Sequence, residues 1–246
     1  MNAIIVIPAR MASTRLPDKP LADIAGTPMI VRVWQQAIRA KAGPVLVAAA
    51  EPQIAETIRR AGGDAVLTEP KLASGSDRVH QALEKHDPDR RFDVVINLQG
   101  DLPDIDPRAI KAVAAALNDS GADIATLAAP ISDARDFDNP AVVKGVVAWD
   151  ASQTHGRALY FTRARAPAGD GPLFHHVGIY AFRRRALARF IALPVSPLER
   201  REKLEQLRAL EAGMHIEVAR IDDIPLSVDT PEDLQRARKL LSTKQK

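Results

Sequence analysis

The sequence predicts an α/β fold: a mostly parallel central sheet with helices on both faces and an added antiparallel segment. Three observations carry that expectation. Short apolar runs alternate with segments of helical periodicity up to about Ala129. Those runs are apolar on both faces, as strands buried in a doubly covered parallel sheet must be. Beyond Ala129 strand-like runs follow one another without long helices between them.

Ala3–Ile7 is β-branched, stops at Pro8 and reads as a buried strand. Pro28–Ala42 places Ile30, Val33, Trp34, Ala37 and Ile38 at helical spacing, and Pro28 suits a first helical turn. Pro44–Ala50 is a second strand, and Pro52–Gly63 a helix stopped by Gly62-Gly63. Asp64–Thr68 is a third strand. The helix over Gly75–His86 has Ser74 or Ser76 as its cap. Phe92–Gly100 is the strongest strand, and Pro107–Gly121 is again helical. The runs 141–150, 157–163 and 174–182 form the strand-rich segment. A continuous helix is expected over Ser196–Gly213, with Leu198, Leu204, Leu207 and Leu210 on its apolar side. A strand over 215–221, a helix over 230–241 and a frayed tail complete the chain. No repeat or low-complexity linker interrupts it, so one domain over 1–246 is expected.

The 246 residues suffice for a sizeable core, and 46% hydrophobic with 26% charged residues is ordinary for a globular chain. The net charge of +3 is mild, and with 4% aromatics there is no basic stripe interleaved with aromatic residues, so nucleic acid is not an expected partner. The absence of cysteine excludes disulfides, thiolate metal sites and a cysteine nucleophile. No apolar run approaches the roughly 18 residues that span a bilayer. The first strand begins at once, without a secretory signal pattern, so a cytoplasmic location is expected.

Ligands of such sheets bind beyond the carboxyl ends of the strands. Four polar segments fall there or beside them. In the loop after the first strand, Arg10, Arg15 and Lys19 can converge on one polyanion, and backbone N–H groups from Ala9 to Ser13 can form an anion-binding concavity. Pro8, Pro17 and Pro20 stiffen that loop. The bland alternative is a solvated basic loop. There is neither a Walker loop nor a Gly-x-Gly-x-x-Gly turn, which argues against an ATPase or a dinucleotide enzyme. In Asn97–Pro107, Asp101 is placed to hold a divalent cation against phosphates; the alternative, a helix cap, fits Asp106 best. Asp229 or Thr230 before Pro231 is a helix-start signal, of interest only if Asp229 meets Asp101. The fourth set is Arg163, His176, Tyr180, Glu205 and Gln206, suited to a polyhydroxy acid, or else to ordinary structural polar roles. His176 and Tyr180, four apart, share one face of a strand.

The stretches "IPARMASTRLPDKPLADIAGTPMI", "SGSDRV", "NLQGDLP", "HHVGIYAFR", "SPLERREKLEQLRALEAG" and "VDTPEDL" occur in this order. Together they resemble the 3-deoxy-manno-octulosonate (Kdo) cytidylyltransferases, from about Ala3 to Leu241. The resemblance implies a Rossmann-like nucleotidyltransferase fold, usually homodimeric, with 130–195 as a sugar-binding and dimerisation segment. It implies transfer of a cytidylyl group from CTP to Kdo, with Mg²⁺, for lipopolysaccharide biosynthesis. By position it implies that Arg10, Ser13, Arg15 and Lys19 bind the CTP phosphates and that Ser74, Gly75 and Arg78 hold cytosine. Ala9 and Gly100 complete the nucleotide site. Asp101 and Asp229 hold Mg²⁺, and Gln99, Arg163, His176, Tyr180, Glu205 and Gln206 hold Kdo. Arg10, Lys19 and Asp101 are the implied catalytic residues. The chain departs from the common pattern at Ala49-Ala50, at Leu102 and in a short 166–173 segment. The rival readings are a cytidylyltransferase for sialic acid or a related sugar, and a nucleotide-binding module without catalysis.

Overall fold

A computed structural model describes residues 2–12 and 15–243. Ser13, in the expected phosphate loop, and the tail expected to fray beyond residue 243 lie outside the described residues. In chain order the elements are β1 (Ala3–Ala9), β2 (Asp23–Ile24), β3 (Thr27–Pro28), α1 (Met29–Ala40), β4 (Val45–Ala49), α2 (Pro52–Arg60), β5 (Asp64–Leu67), α3 (Gly75–His86), β6 (Val94–Leu98), α4 (Pro107–Asp119), β7 (Ile124–Pro130), β8 (Lys144–Trp149), β9 (His155–Thr162), β10 (Phe174–Arg183), α5 (Arg184–Ala192), α6 (Pro197–Glu202), α7 (Leu207–Glu211), β11 (Ile216–Arg220) and α8 (Pro231–Thr243). They fall into two compact units, one of residues up to Lys111 together with those from Pro225 on, the other Ala112–Ile224.

The first unit is built on strands in the order β5-β4-β1-β6, all parallel. Ile4, Ile5, Val6 and Ile7 are wholly buried, as are Val47, Ala48, Val95 and Ile96. Each large aliphatic side chain so buried contributes roughly 1.5–3 kcal/mol. Both faces of these strands are therefore covered, as their uninterrupted apolar character requires. β5, at the edge, keeps only partial burial.

The helices begin and end where local chemistry dictates. Ser74 caps α3 in a reciprocal box with Asp77: its hydroxyl accepts from Asp77 N–H and Asp77 accepts from Ser74 N–H. Such a cap is worth about 0.5–2 kcal/mol. Lys41, in the left-handed region at φ 50°, ends α1. The buried stripe of α1 is Met29, Ile30, Val33, Ala37 and Ala40; Ile38 is 47% exposed and lies off it. α8 packs Leu234, Ala237 and Leu241 against Leu16, Ile24, Met29 and Val228. This cluster ties the end of the chain to the loop that follows β1.

The second unit has strand order β10-β7-β11-β9-β8, with one further pairing of His175 on β10 to Lys144 on β8. β7 and β11 are parallel; the other neighbours are antiparallel. The change of pattern beyond Ala129 is thus a mixed sheet. Two details differ from the sequence expectation. β10 carries an irregularity: Val177 faces Leu127 while Tyr180 faces Thr126, so Gly178 and Ile179 are extra. Thr126, fully buried, fastens the bulge by donating to Ile179 O at 2.8 Å, with Val177 O at 3.2 Å.

The continuous helix expected over 196–213 is broken into α6 and α7. Lys203 adopts φ 56° and donates its N–H to Glu199 O at 2.7 Å, closing α6. Across the break Arg208 forms a bidentate pair with Glu199 at 2.7 and 2.6 Å and stacks on Phe190. A buried, doubly bonded ion pair at spacing nine overrides the helical periodicity of the leucines.

Candidate active site

Because β1, β4 and β6 are parallel, their carboxyl ends lie together. The segments following β1 and β6, the start of α3 and Asp229 surround an open cavity of about 390 Å³. Its lining includes Pro8, Ala9, Arg10, Arg15, Lys19, Ser74, Gly75, Arg78, Gln99, Gly100, Asp101 and Asp229. Every nucleotide-site residue expected from the sequence and described in the structure is among them.

The chemical centre is a bridged carboxylate pair. Lys19 Nζ donates to Asp101 Oδ2 at 2.9 Å and to Asp229 Oδ1 at 3.0 Å. Arg15 Nη2 lies 3.1 Å from the same Asp229 oxygen. Burial lowers the Lys19 pKa, but the charges of Asp101 and Asp229 and their hydrogen bonds outweigh it, and the net pKa is raised. Lys19 is therefore a fixed cation. An ammonium has three protons, so one remains beyond those given to the two carboxylates.

Backbone chemistry brings the pair together. Val228 N–H donates to Asp101 O at 3.0 Å, laying the segment before α8 along the end of β6. The helix-start signal at 229–230 resolves in favour of Thr230. Its hydroxyl accepts from Asp233 N–H, and Asp233 accepts from the N–H of both Thr230 and Asp229. Asp229 thereby keeps its carboxylate for the cavity. Asp106 accepts from Arg108 N–H at the start of α4, so capping there does not call on Asp101.

The walls are equally determined. A Cβ on Gly100 would stand 3.0 Å from Pro8 O and 3.3 Å from Ile30 Cδ1, so a side chain there would require the end of β1 and the tip of Ile30 to yield by a few tenths of an ångström. Asn97, buried, accepts from Gln99 Nε2 at 2.9 Å and orients that amide. Arg78, 2% exposed, donates to Thr68 Oγ1, Glu69 O and Pro70 O. Burial lowers its pKa, partly countered by Glu51. Its guanidinium thus shapes the 68–70 segment at the cavity wall. Glu51, which sequence reasoning passed over, accepts from Met11 N–H at 2.9 Å and anchors the basic loop. No spacing signal links positions 11 and 51; only the parallel register of β1 and β4 brings them together.

The remaining expected residues, Gln99 apart, belong to the second unit. His176 and Tyr180 stack at 5.5 Å between ring centroids, and Phe161 meets His176 at 4.7 Å. Burial lowers the His176 pKa to about 3, with His175 adding to the effect, so the imidazole is neutral at physiological pH. Thr126 spends its single proton on a carbonyl, so His176 Nε2–H donates to Thr126 Oγ1 across 3.0 Å and Nδ1 is the acceptor. Tyr180 is pushed well above the ordinary phenol range by burial and by the charge of Glu205. Gln206 is buried, and its Nε2 has no hydrogen-bond partner among the described residues. Such an amide normally finds one. Arg163 Nε donates to Glu202 O and its Nη1 to Pro140 O, each at 2.9 Å.

Among the described residues no three His, Asp or Glu gather as a metal cage. Asp101 and Asp229 form a partial oxygen set, suited to a hard cation that takes its other ligands from water and a phosphate. None of the described helices is long and apolar enough to cross a membrane.

A family model described as "Cytidylyltransferase" matches residues 4–216. A protein of Parvibaculum lavamentivorans named 3-deoxy-manno-octulosonate cytidylyltransferase is 61% identical over 98% of this chain and 93% of its own. One of the same name from Methylobacterium radiotolerans is 60% identical over 98% and 97%. Among solved structures, a CMP:2-keto-3-deoxy-manno-octonic acid synthetase complexed with CTP superposes with a TM-score of 0.90 at 37% identity, covering 99% of this chain and all of that one.

Proposed function

The chain belongs to the 3-deoxy-manno-octulosonate cytidylyltransferase family, and from that premise we propose that it transfers the cytidylyl group of CTP to Kdo, giving CMP-Kdo and pyrophosphate. The observation that carries this reading is the Lys19 bridge between Asp101 and Asp229 beneath a cation-rimmed cavity.

The anomeric hydroxyl of the sugar attacks the α-phosphorus, forming a new P–O bond as the bond to pyrophosphate breaks in line and the hydroxyl proton is released to water. Such transfers depend on positioning and charge neutralisation more than on covalent chemistry. Arg10, Arg15 and the spare proton of Lys19 take the phosphate charge, with the backbone near Ala9 beside them. The start of α3 at Ser74 and Gly75 receives the base, on a wall held by Arg78. Asp101 and Asp229 would hold Mg²⁺, which when bound neutralises phosphate charge and lowers the pKa of the attacking hydroxyl. The described cavity lining has no histidine, and its only carboxylates are these two. Gln99, Arg163, His176, Tyr180, Glu205 and Gln206 take the sugar acid; the buried Nε2 of Gln206 supports that role. We place the reaction in the cytoplasm, on the path to lipopolysaccharide, and the protein as a homodimer; Leu159 on β9, half exposed, supports a contact there.

The test is pyrophosphate release with Mg²⁺ and CTP, comparing Kdo, sialic acid and no sugar. Release that depends on Kdo is expected. Release only with sialic acid would keep the chemistry and overturn the acceptor. CTP binding without release for any sugar would leave a nucleotide-binding module.

A further inference from the structure

Resting on the reading that Arg163 receives the sugar acid, we propose that Glu202 and Lys144 are positioning residues that fix the Arg163 guanidinium so that its Nη2 edge meets the substrate carboxylate. Neither residue was prominent in the sequence, and Lys144 is expensive to place. Lys144 is 0% exposed, and an ammonium so deeply buried is costly unless every proton finds an acceptor. It donates to Asn139 O at 2.7 Å, Val142 O at 2.8 Å and Arg163 O at 3.3 Å. Those bonds do two things. They hold the backbone of Arg163, and they fold the 139–142 loop whose Pro140 O accepts from Arg163 Nη1 at 2.9 Å.

Glu202 grips the same residue from the end of α6. Its carboxylate accepts from Arg163 N–H at 3.0 Å and Thr162 Oγ1 at 2.8 Å, and its backbone oxygen accepts from Arg163 Nε at 2.9 Å. Burial raises the pKa of Glu202, but the bonds from Arg163 N–H, Thr162 and Tyr160 outweigh it, so it stays ionised. Residue 163 is thus held at its N–H, its carbonyl, Nε and Nη1. Its Nη2 has no hydrogen-bond partner among the described residues. A guanidinium fixed at two of its three nitrogens and open at the third presents a preset donor edge to a planar anion.

A double-mutant cycle on the full chain tests this, with KM for Kdo and for CTP measured separately. Glu202→Gln cannot accept from both Thr162 and Arg163 N–H. It is expected to raise KM for Kdo about tenfold, with KM for CTP unchanged, the size of a lost bond to a charged group. Arg163→Ala is expected to raise KM for Kdo at least as much. In the Arg163→Ala background Glu202→Gln is expected to add nothing. Equal factors in both backgrounds, or an unchanged KM for Kdo in Glu202→Gln, would overturn the proposal. An unchanged KM for Kdo in Arg163→Ala would instead overturn the sugar contact itself. Thr162→Val, which removes the 2.8 Å bond to Glu202 and leaves Ala164 N–H without its 3.1 Å acceptor, runs in the same cycle and decides it if Glu202→Gln does not fold.

Discussion

Around Lys19 the first unit gathers full charges on loops, partly open to solvent, and settles them by pairing opposite signs. Around His176 the second unit gathers polar groups inside an aromatic cluster and settles them by removing charge: a neutral imidazole, a phenol kept protonated and a fully buried threonine hydroxyl. The difference teaches what each region can recognise. A polyphosphate needs cations that remain charged whatever the pH. A polyhydroxy acid needs directional donors and acceptors whose protons stay put, with charge reserved for one carboxylate.

The sharpest way to break the charged region is Asp101→Asn, which keeps shape and removes one anion. Turnover at saturating Mg²⁺ is expected to fall by about 10²–10³-fold, the scale of losing a preorganised electrostatic group. Near-wild-type pyrophosphate release would refute the assigned mechanism. Lys19→Met tests the bridge through stability. With the cation gone, Asp101 loses its partner while Asp229 keeps only the exposed Arg15, and stability is expected to fall by about 1–3 kcal/mol. Added Mg²⁺ should restore part of it; thermal melts with and without Mg²⁺ measure both effects.

The neutral region breaks differently, with acid. In the folded protein His176 stays unprotonated down to about pH 3, whereas unfolded it titrates near 6.5. Between those values the unfolded state binds the extra proton, so stability is complete above about pH 6.5 and is lost as pH falls toward 3. Its contribution to the slope approaches about 1.4 kcal/mol per pH unit. His176→Asn should flatten that stretch of the stability–pH curve; an unaltered curve would show that the imidazole is not the group responsible. The smallest effect on stability belongs to Arg15, whose side chain is 65% exposed. Arg15→Ala is expected to cost less than about 1 kcal/mol in a melt, since an exposed pair is worth little. It should still raise KM for CTP about tenfold through a lost phosphate contact.

What could be read in advance follows the same division. Strand–helix alternation through Ala129 was legible because each element announces itself locally, by an apolar run, a cap such as Ser74 or a stop such as Gly62. Lys19 and Asp101 were legible because they follow apolar strands ending at a predictable edge. Asp229 was ambiguous in sequence, and only the choice of Thr230 as the cap releases it. Hidden entirely were the residues that act through tertiary register: Glu51 on Met11, Thr126 on the β10 bulge, Glu199 on Arg208. The break at Lys203 went unseen for the same reason. Local periodicity favoured a continuous helix, and a contact nine residues away decided otherwise.

The irregularity in β10 has a consequence for how this chain can change. A single extra residue in a strand turns every later side chain over; two extra residues restore the phase. Gly178 and Ile179 come as a pair, and so His176 before them and Tyr180 after them still stack against each other. Lengths that differ by an even number of residues at this point keep the tyrosine beside the histidine, and an odd difference exchanges it for a neighbour. The strand therefore carries a parity rule, one that insertions and deletions must obey even where the identity of the inserted residues is free.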